Sequence, residues 1–303
     1  MFAGFDTSNY TTSAAVYTNG YIENHKIMLS VRSGERGLRQ SDAVFQHTVN
    51  LPNLLESIDF QSLKAVGVST KPRNIEGSYM PCFLVGRNAA LALAKGAGVP
   101  LFETSHQVGH ILAALYSCDK LELINREFVA FHLSGGTTEA LLVKPDKDEI
   151  IAAEIISESL DLKAGQAVDR TGVLLGIDFP CGKELDELSR TSTAEFKIKP
   201  TIIDGNCSMS GVENKVKQMV NRGEAKQDIA KFALSYVAKT VLSMLDSITL
   251  KYGNLPVVFS GGVASNSLLR ETILNKYEAG FAEPEFSLDN AAGLAVFASL
   301  KSE

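Results

Sequence analysis

The chain has 303 residues, 45% apolar and 21% charged, a composition that suits a globular protein with two cores of ordinary size. No run approaches the ~20 apolar residues that span a bilayer, and the opening MFAGFDTSNY has no basic stretch followed by an apolar one, so a cytoplasmic protein with no membrane segment is expected. A formal net charge of −6 excludes tight stand-alone binding to nucleic acid, and four scattered cysteines without a CxxC pair exclude a disulfide framework and a cysteine-type zinc site.

In chain order, residues 2–5 are apolar, 6–9 form a polar turn and 13–17 are a second β-like run. Asn19-Gly20 is a two-residue hairpin signal ahead of 21–29, so the chain opens with a three-stranded antiparallel meander. Residues 41–58 read as a helix with Ser41 as N-cap, 63–69 as a buried strand, 83–98 as a helix and 99–102 as a strand. After a turn at Thr104-Ser105, a helix carries His106 and His110. Two imidazoles four residues apart share a helical face and lie within reach of one metal ion; the plainer alternative is a capping or core role.

Near Arg126 the pattern restarts. An apolar strand over 128–133, a small-residue turn over 134–138 and a strand over 139–143 repeat the strand–turn–strand of the N-terminus about 126 positions later, the mark of an internal duplication. Helices are expected over 163–175, 183–192 and 227–251, the last with Ile229, Phe232, Tyr236, Val237, Val241, Leu245 and Ile248 at helical spacing. A strand over 255–259 leads to the Gly-rich turn 260–266 and a helix over 267–277. Glycines after a strand let a phosphate approach the backbone, and a helix N-terminus offers free N–H groups. Asp289 or Asn290 is a candidate N-cap for a small-residue helix over 291–300. Asp6 and Asp161 are candidate general bases, with no geometry in the sequence to test them.

Two α/β lobes, each opening on such a meander, resemble the actin, hexokinase and Hsp70 architecture (ASKHA), in which two hydroxyl-rich turns face a ligand in an interlobe cleft. The lobes are drawn as 1–120, with the C-terminal helix 290–303 able to pack back on it, and 121–289.

Six stretches in order resemble the TsaD/Gcp family, the tRNA threonylcarbamoyladenosine synthase subunit once described as a glycoprotease: HQVGH (106–110), LSGGTTEALL (133–142), LDLKAGQAVDRTGVLLGIDFPCG (160–182), SMSGVENKV (208–216), SGGVASNSLLRE (260–271) and LDNAAGLAV (288–296). The resemblance implies metal-dependent transfer of a threonylcarbamoyl group from its adenylate to the tRNA adenosine next to the anticodon. It implies one divalent metal, iron or zinc, on His106, His110 and Asp289. Adenylate contacts fall on Leu133, Ser134, Gly135, Gly136, Thr137, Asp169, Gly182 and Asn266. As partners it implies an adenylate or other adenine nucleotide, tRNA reached only with helper subunits, and a TsaB-like partner of the same fold on the first lobe.

The chain departs from the family pattern at several polar positions. Tyr10 and Thr11 replace two carboxylates in the opening motif, Thr137 replaces the histidine of SGGHT, Gln166 a glutamate and Cys181 a glycine. These changes keep open a divergent nucleotide- and metal-binding paralog with a regulatory or scaffolding role. An ATP-dependent small-molecule kinase is a third reading, against which the missing acidic pair at Tyr10 and Thr11 counts.

Overall fold

Hydrophobic alternation and glycine punctuation fold the chain into two mixed sheets, seen in a computed structural model that describes residues 1–8, 10–31, 38–287 and 291–303. β1 (Phe2–Asp6), β2 (Thr11–Thr18) and β3 (Tyr21–Met28) form the opening meander, with Asn19 and Gly20 both at positive φ in the turn that joins β2 to β3. α1 (Gln40–Leu55), β4 (Ala65–Lys71), α2 (Phe83–Ala97), β5 (Leu101–Ser105) and α3 (His106–Ser117) follow.

The second half contains β6 (Phe128–Leu133), β7 (Thr138–Asp146), β8 (Ile150–Glu158), α4 (Ala164–Leu174) and α5 (Gly182–Ser189). A small hairpin, β9 (Thr201–Ile203) and β10 (Asn206–Ser208), precedes α6 (Ser210–Asn221) and the long α7 (Lys226–Tyr252). β11 (Val257–Ser260), α8 (Ser267–Leu274), β12 (Ala279–Phe281), α9 (Pro284–Ser287) and α10 (Ala292–Leu300) end the chain.

The sheet orders are β3-β2-β1-β4-β5 and β12-β11-β6-β7-β8. Read from the meander outwards they are the same: β1 is antiparallel to β2 and parallel to β4, and β6 is antiparallel to β7 and parallel to β11. The duplication in sequence is therefore a duplication of topology. The chain divides into two compact units, residues 1–125, 145–152 and 285–303 in one and 126–144 and 153–284 in the other.

The first unit buries Ala3, Phe5, Val66 and Val68 with Leu51 of α1 and Ala90 and Ala94 of α2 on one sheet face. α10 is buried along nearly its whole length against β1, β4 and α3, which its run of small residues allows. The core of the second unit gathers Val129, Phe131, Leu133 and Phe259 beneath α7 and α4.

Three local expectations shift. α1 starts at Gln40 with Arg39 at the N-cap and no side-chain cap bond, so Ser41 lies inside the first turn. β5 begins two residues late, because Gly98 closes α2 in the left-handed conformation, and then runs through Thr104 to Ser105, its pairing with β4 shifting register between Ser69 and Lys71. Ser105 is the N-cap of α3, its hydroxyl accepting from the Val108 amide at 3.3 Å. The helix expected to Tyr277 stops at Leu274, and β12 adds a short parallel strand to β11. Asp289 and Asn290, named as caps for α10, lie outside the described residues.

Candidate functional site

In the first unit, the register that ends β1 buries Asp6 completely. Its carboxylate meets His106 Nδ1 at 3.0 Å, accepts from the Ser8 hydroxyl at 2.7 Å and takes a short hydrogen bond from Ser69 Oγ. Burial pushes this carboxyl up, but the imidazole charge of His106 and the hydrogen bonds from His106, Ser69 and Ser8 outweigh it, and the net shift is downward. Asp6 is thus an ionised acceptor facing Nδ1 of His106, which fixes the orientation of the imidazole ring. The His106 and His110 rings stand edge to face with centroids 4.2 Å apart. A carboxylate on one ring nitrogen is the contact that, in metal sites, orients a ligand imidazole through its other nitrogen. Among the described residues no three His, Cys, Asp or Glu side chains are grouped to hold a metal ion; Asp289 lies outside them.

In the second unit the candidate adenylate residues lie on one continuous ring of contacts. The β6–β7 turn is closed by Ser134 N–H to Thr137 O at 2.7 Å and Thr137 N–H to Ser134 Oγ at 3.0 Å. The Gly165 amide at the start of α4 donates to Ser134 O at 3.0 Å, and a Cβ at Gly165 would lie 2.5 Å from the Gly135 nitrogen. One turn on, Asp169 Oδ1 accepts from the Cys181 amide at 3.1 Å, fixing the loop that starts α5 at Gly182. From α5, Asp186 accepts from Asn266 Nδ2 at 2.8 Å and from the Ser267 hydroxyl at 2.7 Å, while Asn266 Oδ1 caps α8 through the Leu269 amide at 3.0 Å. Gly261, at φ +89°, closes the ring: a Cβ there would lie 2.7 Å from the Leu133 carbonyl carbon.

The glycines of the ring serve two purposes. Gly165 and Gly261 are needed for packing. Gly135, Gly136, Gly182 and Gly262 have nothing within 4 Å of a built Cβ and no positive φ, so neither packing nor backbone strain requires them. Close approach of a ligand to the main chain does require such positions. Burial raises the Asp169 carboxyl, the Cys181 amide only partly opposing it.

A family model described as TsaD, tRNA N6-adenosine threonylcarbamoyltransferase, matches residues 39–296. The chain belongs to the TsaD family. Among curated relatives, the tRNA N6-adenosine threonylcarbamoyltransferase of Thermosipho africanus is 29% identical over 97% of this chain and 92% of its own. That of Ligilactobacillus salivarius is 32% identical over 94% of this chain and 84% of its own. Solved structures of the same fold include component A of the (R)-2-hydroxyglutaryl-CoA dehydratase of Acidaminococcus fermentans, with a TM-score of 0.58 at 16% identity over 99% and 98% of the two chains. A ROK family glucokinase from Streptomyces griseus has a TM-score of 0.54 at 13% identity over 99% and 98%. These likenesses establish the two-lobed ASKHA architecture.

Within the TsaD frame, several altered positions have local explanations. Gln166 Oε1 accepts from the Lys163 amide at 3.3 Å at the start of α4, a job an amide does as well as a carboxylate. Cys181 fills the space beside Gly172, where a Cβ would lie 2.5 Å from its sulfur. Asp161 takes hydrogen bonds from Ser208 Oγ and from the Leu162, Met209 and Ser210 amides at 2.6–3.2 Å, which outweigh the effect of burial and hold its carboxyl far below the usual range. It is an anchor for the N-terminus of α6, its lone pairs taken up by four donors. Sequence reasoning missed Asp186 and Ser69. Asp186 sits four residues after Gly182 on one helical face, a spacing that could have drawn attention to it; Ser69 carries no such signal.

Proposed function

We propose that the protein transfers the threonylcarbamoyl group of threonylcarbamoyl adenylate to the N6 amine of the tRNA adenosine next to the anticodon. The observation that carries this reading is the match to the transferase family over residues 39–296, reinforced by relatives of that name aligned along nearly the whole chain. In the reaction the N6 nitrogen attacks the carbamoyl carbon, and the bond from that carbon to the phosphate oxygen breaks. AMP leaves with the bonding electrons, and one proton passes from nitrogen to solvent.

The adenylate is assigned to Leu133, Ser134, Gly135, Gly136, Thr137, Asp169, Gly182 and Asn266. Open space over Gly135, Gly136 and Gly182 supports this. One divalent metal, iron or zinc, is assigned to His106, His110 and Asp289. The donor chemistry supports it: a carboxylate, Asp6, meets Nδ1 of His106 at 3.0 Å, the contact that orients a ligand imidazole through its other nitrogen. When bound, such an ion polarises the acyl carbonyl and stabilises the charge that develops on its oxygen. The chain's own contribution is to hold the imidazoles in one orientation and to seat the leaving phosphate against main-chain N–H groups.

A chain of net charge −6 needs helper subunits to bring tRNA to this site in the cytoplasm. A TsaB-like partner of the same fold is assigned to the α1–α2 face of the first unit. There Phe45 is 68% exposed, Val49 one turn on is 51% exposed, and Leu84 of α2 is 43% exposed. The test is reconstitution with helper subunits, threonylcarbamoyl adenylate and unmodified tRNA, followed by nucleoside analysis of the digested tRNA. Failure of the modified adenosine to appear, in a reaction where the Thermosipho relative makes it, refutes the proposal.

A further inference from the structure

We infer that α10 is the positioning element of the histidine pair, holding β1 and α3 at the separation that lets Asp6 orient His106. The inference rests on the metal reading above. The Asp6–His106 contact of 3.0 Å joins β1 to α3, and both of these elements pack on α10. The packing is backbone to backbone. A Cβ at Gly293 would fall inside the Gly109 carbonyl oxygen and 2.7 Å from the Ala113 amide, and one at Gly4 would lie 2.5 Å from the Ala295 nitrogen. Leu294 fills the centre: a Cβ at Gly109 would come within 3.2 Å of its side chain, and one at Gly67 within 3.0 Å of its carbonyl carbon.

Gly4 stands two residues before Asp6, and Gly109 stands between His106 and His110. Two of the glycines that admit α10 therefore flank the two ends of the carboxylate–imidazole pair, and the third, Gly67, stands two residues before the Ser69 that also binds Asp6. Carbon contacts relax only near ~3.5 Å, so a methyl at position 293 must drive α3 from α10 by on the order of 1 Å. A hydrogen bond of 3.0 Å does not survive that displacement in its orienting role. His106 would then lose the contact that fixes its ring orientation from the β1 side, and a metal ion would meet a less well-ordered ligand.

The test is the affinity of the full chain for Zn²⁺ alone, read by competition with a chromophoric chelator. Gly293→Ala is expected to weaken binding by about tenfold or more, the size of effect seen when the outer partner of a ligand histidine is lost. Gly109→Ala, whose three nearest neighbours are Leu294 side-chain atoms at 3.2–3.9 Å, should weaken binding in the same direction by about threefold, and Leu294→Ala added to it should bring affinity back towards wild type. Leu51→Ala destabilises the other face of the sheet and should leave Zn²⁺ affinity unchanged, separating positioning from general loss of stability. If Gly293→Ala does not fold, the Gly109 and Leu294 variants decide. Variants that bind as wild type does, or a Leu51→Ala loss equal to that of Gly293→Ala, overturn the role of α10. No Zn²⁺ uptake by the wild type overturns the metal reading itself and this inference with it.

Discussion

Replacing Asp186 with alanine tests whether the ring in the second unit is a single mechanical assembly. Asp186 is 8% exposed, and its carboxylate accepts from Asn266 Nδ2 at 2.8 Å, Ser267 Oγ at 2.7 Å, the Ser267 amide at 3.3 Å and Arg190 Nη2 at 2.9 Å. Arg190 has a side chain 61% exposed and will rehydrate without much cost. The Asn266 amide and the Ser267 donors lose their acceptor at a partly buried helix start. At about 1–3 kcal/mol for each donor left unpaired, discounted for water entry, the loss is about 2–4 kcal/mol. For a chain of this size that lowers Tm by roughly 3–6 °C. Asp186→Asn keeps one acceptor oxygen and should cost about half as much. Freed from Asp186, Asn266 holds its cap less firmly, so amide hydrogen exchange over 266–270 should accelerate and affinity for AMP should fall. The assays are thermal melting, hydrogen exchange and AMP titration on the same preparations. A variant melting within about 1 °C of the wild type, with exchange unchanged, refutes the reasoning.

Other consequences follow from single buried groups. His47 is fully buried with Nδ1 at 2.8 Å from Thr12 Oγ1, and burial lowers its pKa to about 4, the charge of Asp6 opposing only in part. Below the ordinary histidine value of about 6.5 the unfolded chain takes a proton that the folded site refuses, so stability falls by at most about 3 kcal/mol as pH drops towards 4. Urea midpoints measured across that range should show the slope, and His47→Gln should flatten it. Gly261→Ala combines a φ of +89° with a clash against Leu133, and is expected to cost about 2 kcal/mol or more by denaturant melting. Phe45→Glu lies on an exposed helix face, so it should leave unfolding within about 0.5 kcal/mol of wild type while abolishing co-purification with a TsaB-like partner.

The contrast between what sequence reading found and what it missed has a physical basis. Glycine turns after strands were legible because few other residues permit the geometry, and the duplication was legible because each copy repeats strand, small-residue turn and strand. His106 and His110 were legible because helical spacing is local. Gly165 and Gly261 show where locality ends: one falls at the start of an expected helix and the other within an expected Gly-rich turn, yet each is required by a contact with a strand or turn far along the chain. Asp6 is the clearest case. Its position in a polar turn suggested a general base, whereas its partners Ser69 and His106 arrive from strands and helices 63 and 100 positions later and make it a fixed, ionised hydrogen-bond acceptor. A carboxylate in a turn becomes a base or an anchor according to which donors the fold brings to it. Donor identity at such a distance is written in strand order, so Asp6 and Asp186 acquire their roles from topology and not from any motif around them.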